Sequence, residues 1–128
     1  MIQEIILPWP DMRLNPNNRS KNIFAHARIV KKERANVGWL LASQKIEKMN
    51  GPVDVTVTFR PPDERRRDDD NMIASFKTAR DEIAKRIGVD DADWTVNYTF
   101  LEKIRFGQVT VVISTKSPNE IPLEGVVT

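Results

Sequence analysis

Val53-Asp54-Val55-Thr56-Val57-Thr58-Phe59 alternates apolar and polar residues throughout. Strand side chains point to opposite faces in turn, and β-branched and aromatic residues suit the pleat. The stretch therefore predicts a half-buried strand whose apolar face is Val53, Val55, Val57 and Phe59. Asn50-Gly51-Pro52 precedes it and Pro61-Pro62 stops it. That apolar face needs a cover, and the flanking sequence predicts two helices. Upstream, the span from about Phe24 to Met49 has no proline. Val30, Val37 and Leu41 recur there at helical spacing, with Leu40 beside them and Gly38 as the weak point. Downstream, a second helix is predicted from about Asp70 to Arg86, with Gly88 just past its end. At about 100° per residue, its Met72, Phe76, Ala79, Ile83 and Ile87 fall within roughly 80° of each other and form a core stripe.

The remaining elements are strands. Ile2 to Leu7 predicts a first strand, stopped by Pro8-Trp9-Pro10, and Asp11 to Asn22 reads as a loop rich in Asn, Pro, Arg and Ser. Trp94 to Ile104 and Gln108 to Thr115 predict two more, with Phe106-Gly107-Gln108 as the tight turn between them. Residues 116–128 read as a loose tail. The order strand, helix, strand, helix, strand, strand predicts one α+β domain over residues 1–128, a small mixed sheet with two packed helices.

Composition narrows the function classes. Cysteine is absent, which removes disulfides and thiolate sites. The sole histidine, His26, cannot support a multi-histidine zinc or iron centre. Any metal is therefore held by oxygen: Mg²⁺ or Mn²⁺, with Ca²⁺ as a further option. No apolar run is long enough to cross a membrane, and the first residues lack a basic start and long apolar core, so a cytoplasmic protein is expected. Net charge is only +2, from 20 basic and 18 acidic residues, so the distribution of charge matters more than its total.

That distribution is sorted at one place. Arg65-Arg66-Arg67 runs directly into Asp68-Asp69-Asp70-Asn71 at the mouth of the second predicted helix, and Asp90-Asp91 follows about twenty residues later. Guanidinium groups hold phosphates, and carboxylates hold hard divalent cations. Together they can bring a metal ion to a phosphodiester. One Asp at a helix start is accounted for by capping and by the helix dipole. Three exceed that need, and a divalent cation would relieve their repulsion. Asp68 and Asp70 are two apart, so in an extended segment both can face one cation while Asp69 points into the cap. On the helical wheel Lys77 and Asp81 each lie about 20° from Asp70, so Lys77 can face the same ligand, or simply pair with Asp81 across one turn. Arg65, Arg66 and Arg67 are either phosphate contacts or a solvated loop. Arg28, Lys31, Lys32 and Arg34 on the first helix read more as a solvated face than as DNA contacts. Trp9, Trp39 and Trp94 read as packing residues.

Arg66-Arg67-Asp68-Asp69-Asp70-Asn71, with Leu7-Pro8-Trp9-Pro10 closing the first strand, Asn15 and Arg19 in the following loop and Gly88-Val89-Asp90-Asp91 ending the central helix, resembles the RusA family of Holliday junction resolvases. The resemblance covers nearly the whole chain to about Thr115. It implies a homodimeric, Mg²⁺-dependent endonuclease that resolves four-way DNA junctions by paired nicks. It also implies Asp68, Asp70 and Asp91 as metal-binding catalytic carboxylates, with Asp90 the alternative to Asp91. The family pattern places a lysine three residues after the Asn, where this chain has Ala74; the role is carried to Lys77. A module that binds branched DNA without cutting it is the alternative, and a Mg²⁺ phosphoryl-transfer enzyme acting on nucleotides or RNA is a third reading.

Overall fold

A computed structural model describes residues 1–14 and 22–116. The alternating stretch forms the strand β2 (Val53–Arg60), and Val53, Val55, Val57 and Phe59 are each fully buried. β4 (Gln108–Thr115) pairs antiparallel with β2, matching Val57 with Val111, and β1 (Ile2–Leu7) pairs antiparallel with β4. β3 (Trp94–Phe100) lies on the other side of β2 and runs parallel to it, matching Phe59 with Phe100. The sheet order is β1-β4-β2-β3. It is mixed, with helices on the face that carries Ile5, Val55, Val57, Val111 and Ile113, so the α+β expectation holds.

The turn expected at Phe106-Gly107-Gln108 does not join neighbouring strands, because β2 lies between β3 and β4. β3 ends at Phe100 rather than Ile104, and residues 101–107 cross the end of β2. The crossing is pinned by Leu101 N–H donating to Phe59 C=O (3.0 Å) and Ile104 N–H donating to Pro61 C=O (2.9 Å). Gly107 is held at φ +70°, and an added Cβ would stand 2.8 Å from Trp9 Cβ and 3.0 Å from Pro62 Cδ. Gly107→Ala is therefore expected to cost more than about 1 kcal/mol, read as a lower urea midpoint at unchanged m-value; an unchanged midpoint would show that this crossing yields easily.

The helix α1 (Ile23–Ser43) is capped by Asn22, whose side chain accepts from Phe24 N–H and Ala25 N–H. It ends well before the expected Met49. Lys45 takes a left-handed φ of +57°, and the chain is drawn to the open edge of β1. Gln44 pairs its amide with both backbone groups of Ile6 at 2.8 Å, and Gln3 does the same with Glu47 at 2.9 and 2.8 Å. The Gln44 amide thus covers the open backbone groups of Ile6 on an edge strand, and Gln3 ties the following chain to that edge. Trp39 on this helix is 70% exposed rather than packed, whereas Trp94 is buried and Trp9 is partly so.

The second helix is two segments, α2 (Asp69–Ser75) and α3 (Lys77–Ile87), with the break at Phe76. Ser75 Oγ donates to Met72 C=O (2.8 Å), and Phe76 N–H donates to Ile73 C=O three residues back. Such back-bonding and tightening interrupt a helical ladder. Met72, Phe76, Ala79, Ile83 and Ile87 are all buried, as their spacing predicts. Lys77, however, begins a new segment, so its angle to Asp70 does not follow from one regular wheel.

Two neighbouring carboxylates, Asp11 after β1 and Glu33 in the middle of α1, carry opposite pH effects. The Arg13 guanidinium bonded to Asp11 holds that carboxyl below its usual range, so its stabilising effect is present above the unfolded value and lost as pH falls through the folded one. Glu33, half-buried near Leu7, Val37 and Phe76, is raised chiefly by burial. Its ionisation therefore opposes folding as pH rises through the unfolded value. Glu33→Gln is expected to be more stable than the parent at pH 7 and to lose that advantage below about pH 4, where an ordinary Glu is protonated. Thermal midpoints at the two pH values check the sign.

Candidate functional site

The segment after β2 is shaped by Asp63. Its Oδ1 accepts Arg65 N–H (2.9 Å) and Arg67 Nη2 (2.8 Å), and these contacts, the Arg65 amide first, hold its carboxyl below the ordinary range. Arg67 also donates from Nη1 to Asp63 C=O (3.2 Å) and Arg65 C=O (2.9 Å), and its guanidinium lies 5.5 Å from the Trp9 ring centroid. Its side chain is only 12% exposed. Of the three predicted phosphate contacts, Arg67 is thus turned inward to build the loop. Arg65 and Arg66 are exposed, and they line a cleft of about 480 Å³ with Trp9, Met12, Asp68 and Asn71, to which the less exposed Arg67 also contributes.

The acidic residues divide between caps and ion pairs. Asp68 is the N-cap of α2, in extended conformation, and its Oδ1 accepts Asp70 N–H at 2.8 Å. Asp69 and Asp70 already lie inside the helix, so the extended alternation expected to aim Asp68 and Asp70 the same way does not apply. Both remain exposed, Asp68 in the wall of the arginine cleft. Asp90 caps the 3₁₀ turn Asp91–Asp93 by accepting Ala92 N–H (2.9 Å). Asp91 Oδ2 stands 3.2 Å from Arg80 Nε. That contact is ionic rather than a well-aligned hydrogen bond, since Arg80 Nε is buried without a hydrogen-bond partner. Arg80 also donates to the Tyr98 hydroxyl (3.0 Å) and lies over the Trp94 ring at 5.4 Å. Arg80 is ten residues beyond Asp70, in α3 on the far side of the break at Phe76.

The chain therefore brings Asp68 and Asp70 to the same helix mouth and leaves Asp91 with Arg80. Among the described residues no group of three or more His, Asp or Glu side chains is placed to hold a metal ion. Asp68, Asp70 and Asp91, expected to share a cation, do not form such a group among the described residues. Mg²⁺ is commonly held by one or two carboxylates together with substrate phosphates and water, a donor set that Asp68 and Asp70 can offer beside Arg65 and Arg66. Lys77 is exposed, does not line the cleft, and forms no ion pair with Asp81 among the described residues. Asn15 and Arg19 lie outside the described residues, as does nearly all of the expected tail.

Sequence reasoning missed the Arg80 network. Its signal was a cation on the margin of the apolar stripe, about 20° past Ile87 on the wheel. It also missed Asp63, whose Asp-x-Arg-x-Arg spacing serves both a turn and an i,i+4 ion pair. No described helix is long and apolar enough to cross a membrane.

No protein-family model matches the chain. An uncharacterized protein of Xylella fastidiosa (strain Temecula1) is 33% identical to it over 120 residues, which cover 88% of this chain and 76% of that protein. At that identity and coverage, the chain belongs to the same family as this Xylella protein.

Proposed function

We propose that the chain is a Mg²⁺-dependent endonuclease that acts on branched DNA as a homodimer, with four-way junctions as its substrate. One observation carries the reading: Arg65, Arg66 and the carboxylate of Asp68 line one open cleft at the end of β2. Arg65 and Arg66 would grip phosphates on either side of the scissile one, which positions a strand without reading its sequence. Asp68 and Asp70 would hold the cation. Bound Mg²⁺ would acidify a water and offset charge on the phosphate. Lys77, exposed at the start of α3, would add positive charge along the DNA rather than at the reacting atoms. Two copies would present two clefts related by a two-fold axis, which suits paired nicks and offers a second source of carboxylates.

The test is cleavage of a synthetic four-way junction with Mg²⁺ and with chelator. Cutting that is Mg²⁺-dependent and much faster than for linear duplex supports the reading; no product with any divalent ion removes it. The second reading, a module that binds branched DNA without cutting, is favoured by the pairing of Asp91 with Arg80 and by Ala74. Junction binding indifferent to chelator, with no nicked product, is its expected result.

A further inference from the structure

We infer that Phe106 is a stacking platform for an unpaired nucleobase at the edge of the arginine cleft, an inference that rests on the nucleic-acid reading above and names what the site would recognise beside phosphate. Phe106 is 77% exposed, the most exposed large apolar side chain among the described residues. Its φ is +68°, a left-handed conformation that bulky residues rarely adopt and that turns normally give to Gly or Asn. Folding therefore gains little from a phenylalanine here: the ring covers no core, and the backbone prefers another residue.

The backbone of the turn that carries the ring is held in place. Gly107 N–H donates to Ile104 C=O (2.8 Å), Ile104 N–H donates to Pro61 C=O (2.9 Å), and Gly107 packs on Trp9 and Pro62. Trp9 and Pro62 both line the arginine cleft, so the turn that presents Phe106 is built on the walls of that cleft. Lys103 Nζ adds an ion pair to Glu64 at 3.1 Å. The Arg105 guanidinium lies 4.8 Å from the Phe106 ring centroid, and at this exposure it covers only part of the ring. An open ring beside the Arg105 cation, on a turn that packs against two residues of the arginine cleft, matches a nucleotide: the base offers a π-face and the phosphate offers charge. A base within a duplex is already stacked on both faces, so the occupant is a base freed at a branch point or in a single strand.

The experiment is a double-mutant cycle that removes the ring and the base separately, with binding measured in chelator so that no cleavage occurs. The full chain and its Phe106→Ala variant are titrated with a four-way junction and with a single-stranded oligonucleotide, each intact or carrying an abasic site at successive positions. Stacking predicts that, at one or more positions, ring removal and base removal each weaken binding about tenfold, and that together they weaken it no further. Phe106→Gly, which relieves the left-handed backbone, gives the same loss without harm to folding, and Phe106→Trp retains the coupling. Independent effects at every position overturn the inference, whatever the cleavage assay shows. Coupling without Mg²⁺-dependent cutting keeps it and removes the endonuclease.

Discussion

Asp70→Asn is expected to lower the rate of junction cleavage by about a thousandfold or more, the order of loss seen when a group that stabilises transition-state charge is removed. The change preserves shape, and no described hydrogen bond or ion pair uses the Asp70 side chain; only its backbone N–H is engaged, by Asp68. The fold should therefore survive with at most the small loss expected from one fewer negative charge in the first turn of a helix. DNA binding in chelator should be kept or improved, since an anion beside the phosphates is gone. Asp68→Asn is the companion variant. Asn caps a helix about as well as Asp, so the bond to Asp70 N–H can persist while the charge is lost. Both variants should fold, bind and fail to cut. A variant that cuts as fast as the parent would remove that carboxylate from the metal set. A variant that unfolds would show that the acidic run serves the helix start.

Asp91 is the discriminating third case. Its partner Arg80 also holds Tyr98 and lies over Trp94, so Asp91→Asn loosens a link between α3 and β3 whatever its catalytic role. Loss of cutting there, with the melting midpoint unchanged, would place Asp91 at the reacting centre of the assembly. Loss that tracks the melting midpoint would place it in the link alone.

The α+β class and the core faces were legible because they depend on period. Val53 to Phe59 and the Met72 to Ile87 stripe need only strand and helix geometry to declare which side is buried, and both sides are buried as their spacing predicts. Elements whose ends depend on a distant partner were not legible. α1 stops at Ser43 because Gln44 and Glu47 meet Ile6 and Gln3 across the edge of β1, a long-range match with no local signal. The strand order escaped for the same reason: neighbours in sequence, β3 and β4, are separated by β2. At the candidate site, residue types singled out one loop, yet the contacts each residue makes depended on geometry. Three adjacent arginines look equivalent in sequence, and only the fold turns Arg67 onto Trp9 and Asp63 while leaving Arg65 and Arg66 open.

Phe59→Ala is the packing change with the largest expected cost, about 3–5 kcal/mol from lost burial and the cavity left behind. Phe59 is fully buried at the end of β2, where its ring meets Trp9 and Phe76 edge-on at 6.2 and 6.1 Å and stacks with Tyr98 and Phe100 at 6.2 and 5.4 Å. The neighbours come from three parts of the molecule: Trp9 from the wall of the arginine cleft, Phe76 from the break between α2 and α3, and Tyr98 and Phe100 from β3, where Tyr98 joins the Arg80 link. Four rings packed around one centre cannot all move inward to fill its loss, so the cavity term should be near the upper end. A small domain is commonly stable by only about 5–15 kcal/mol, so a large share of the total would go. Urea unfolding should show a much lower midpoint at an unchanged m-value. Phe59→Leu, which keeps much of the apolar volume, should lose roughly half as much. If Phe59→Ala lost less than about 1 kcal/mol, far below the range for a packed Phe, the ring would not be the hub of the core. The cleft, the helix break and the Arg80 link would then have to be held in register by their hydrogen bonds alone.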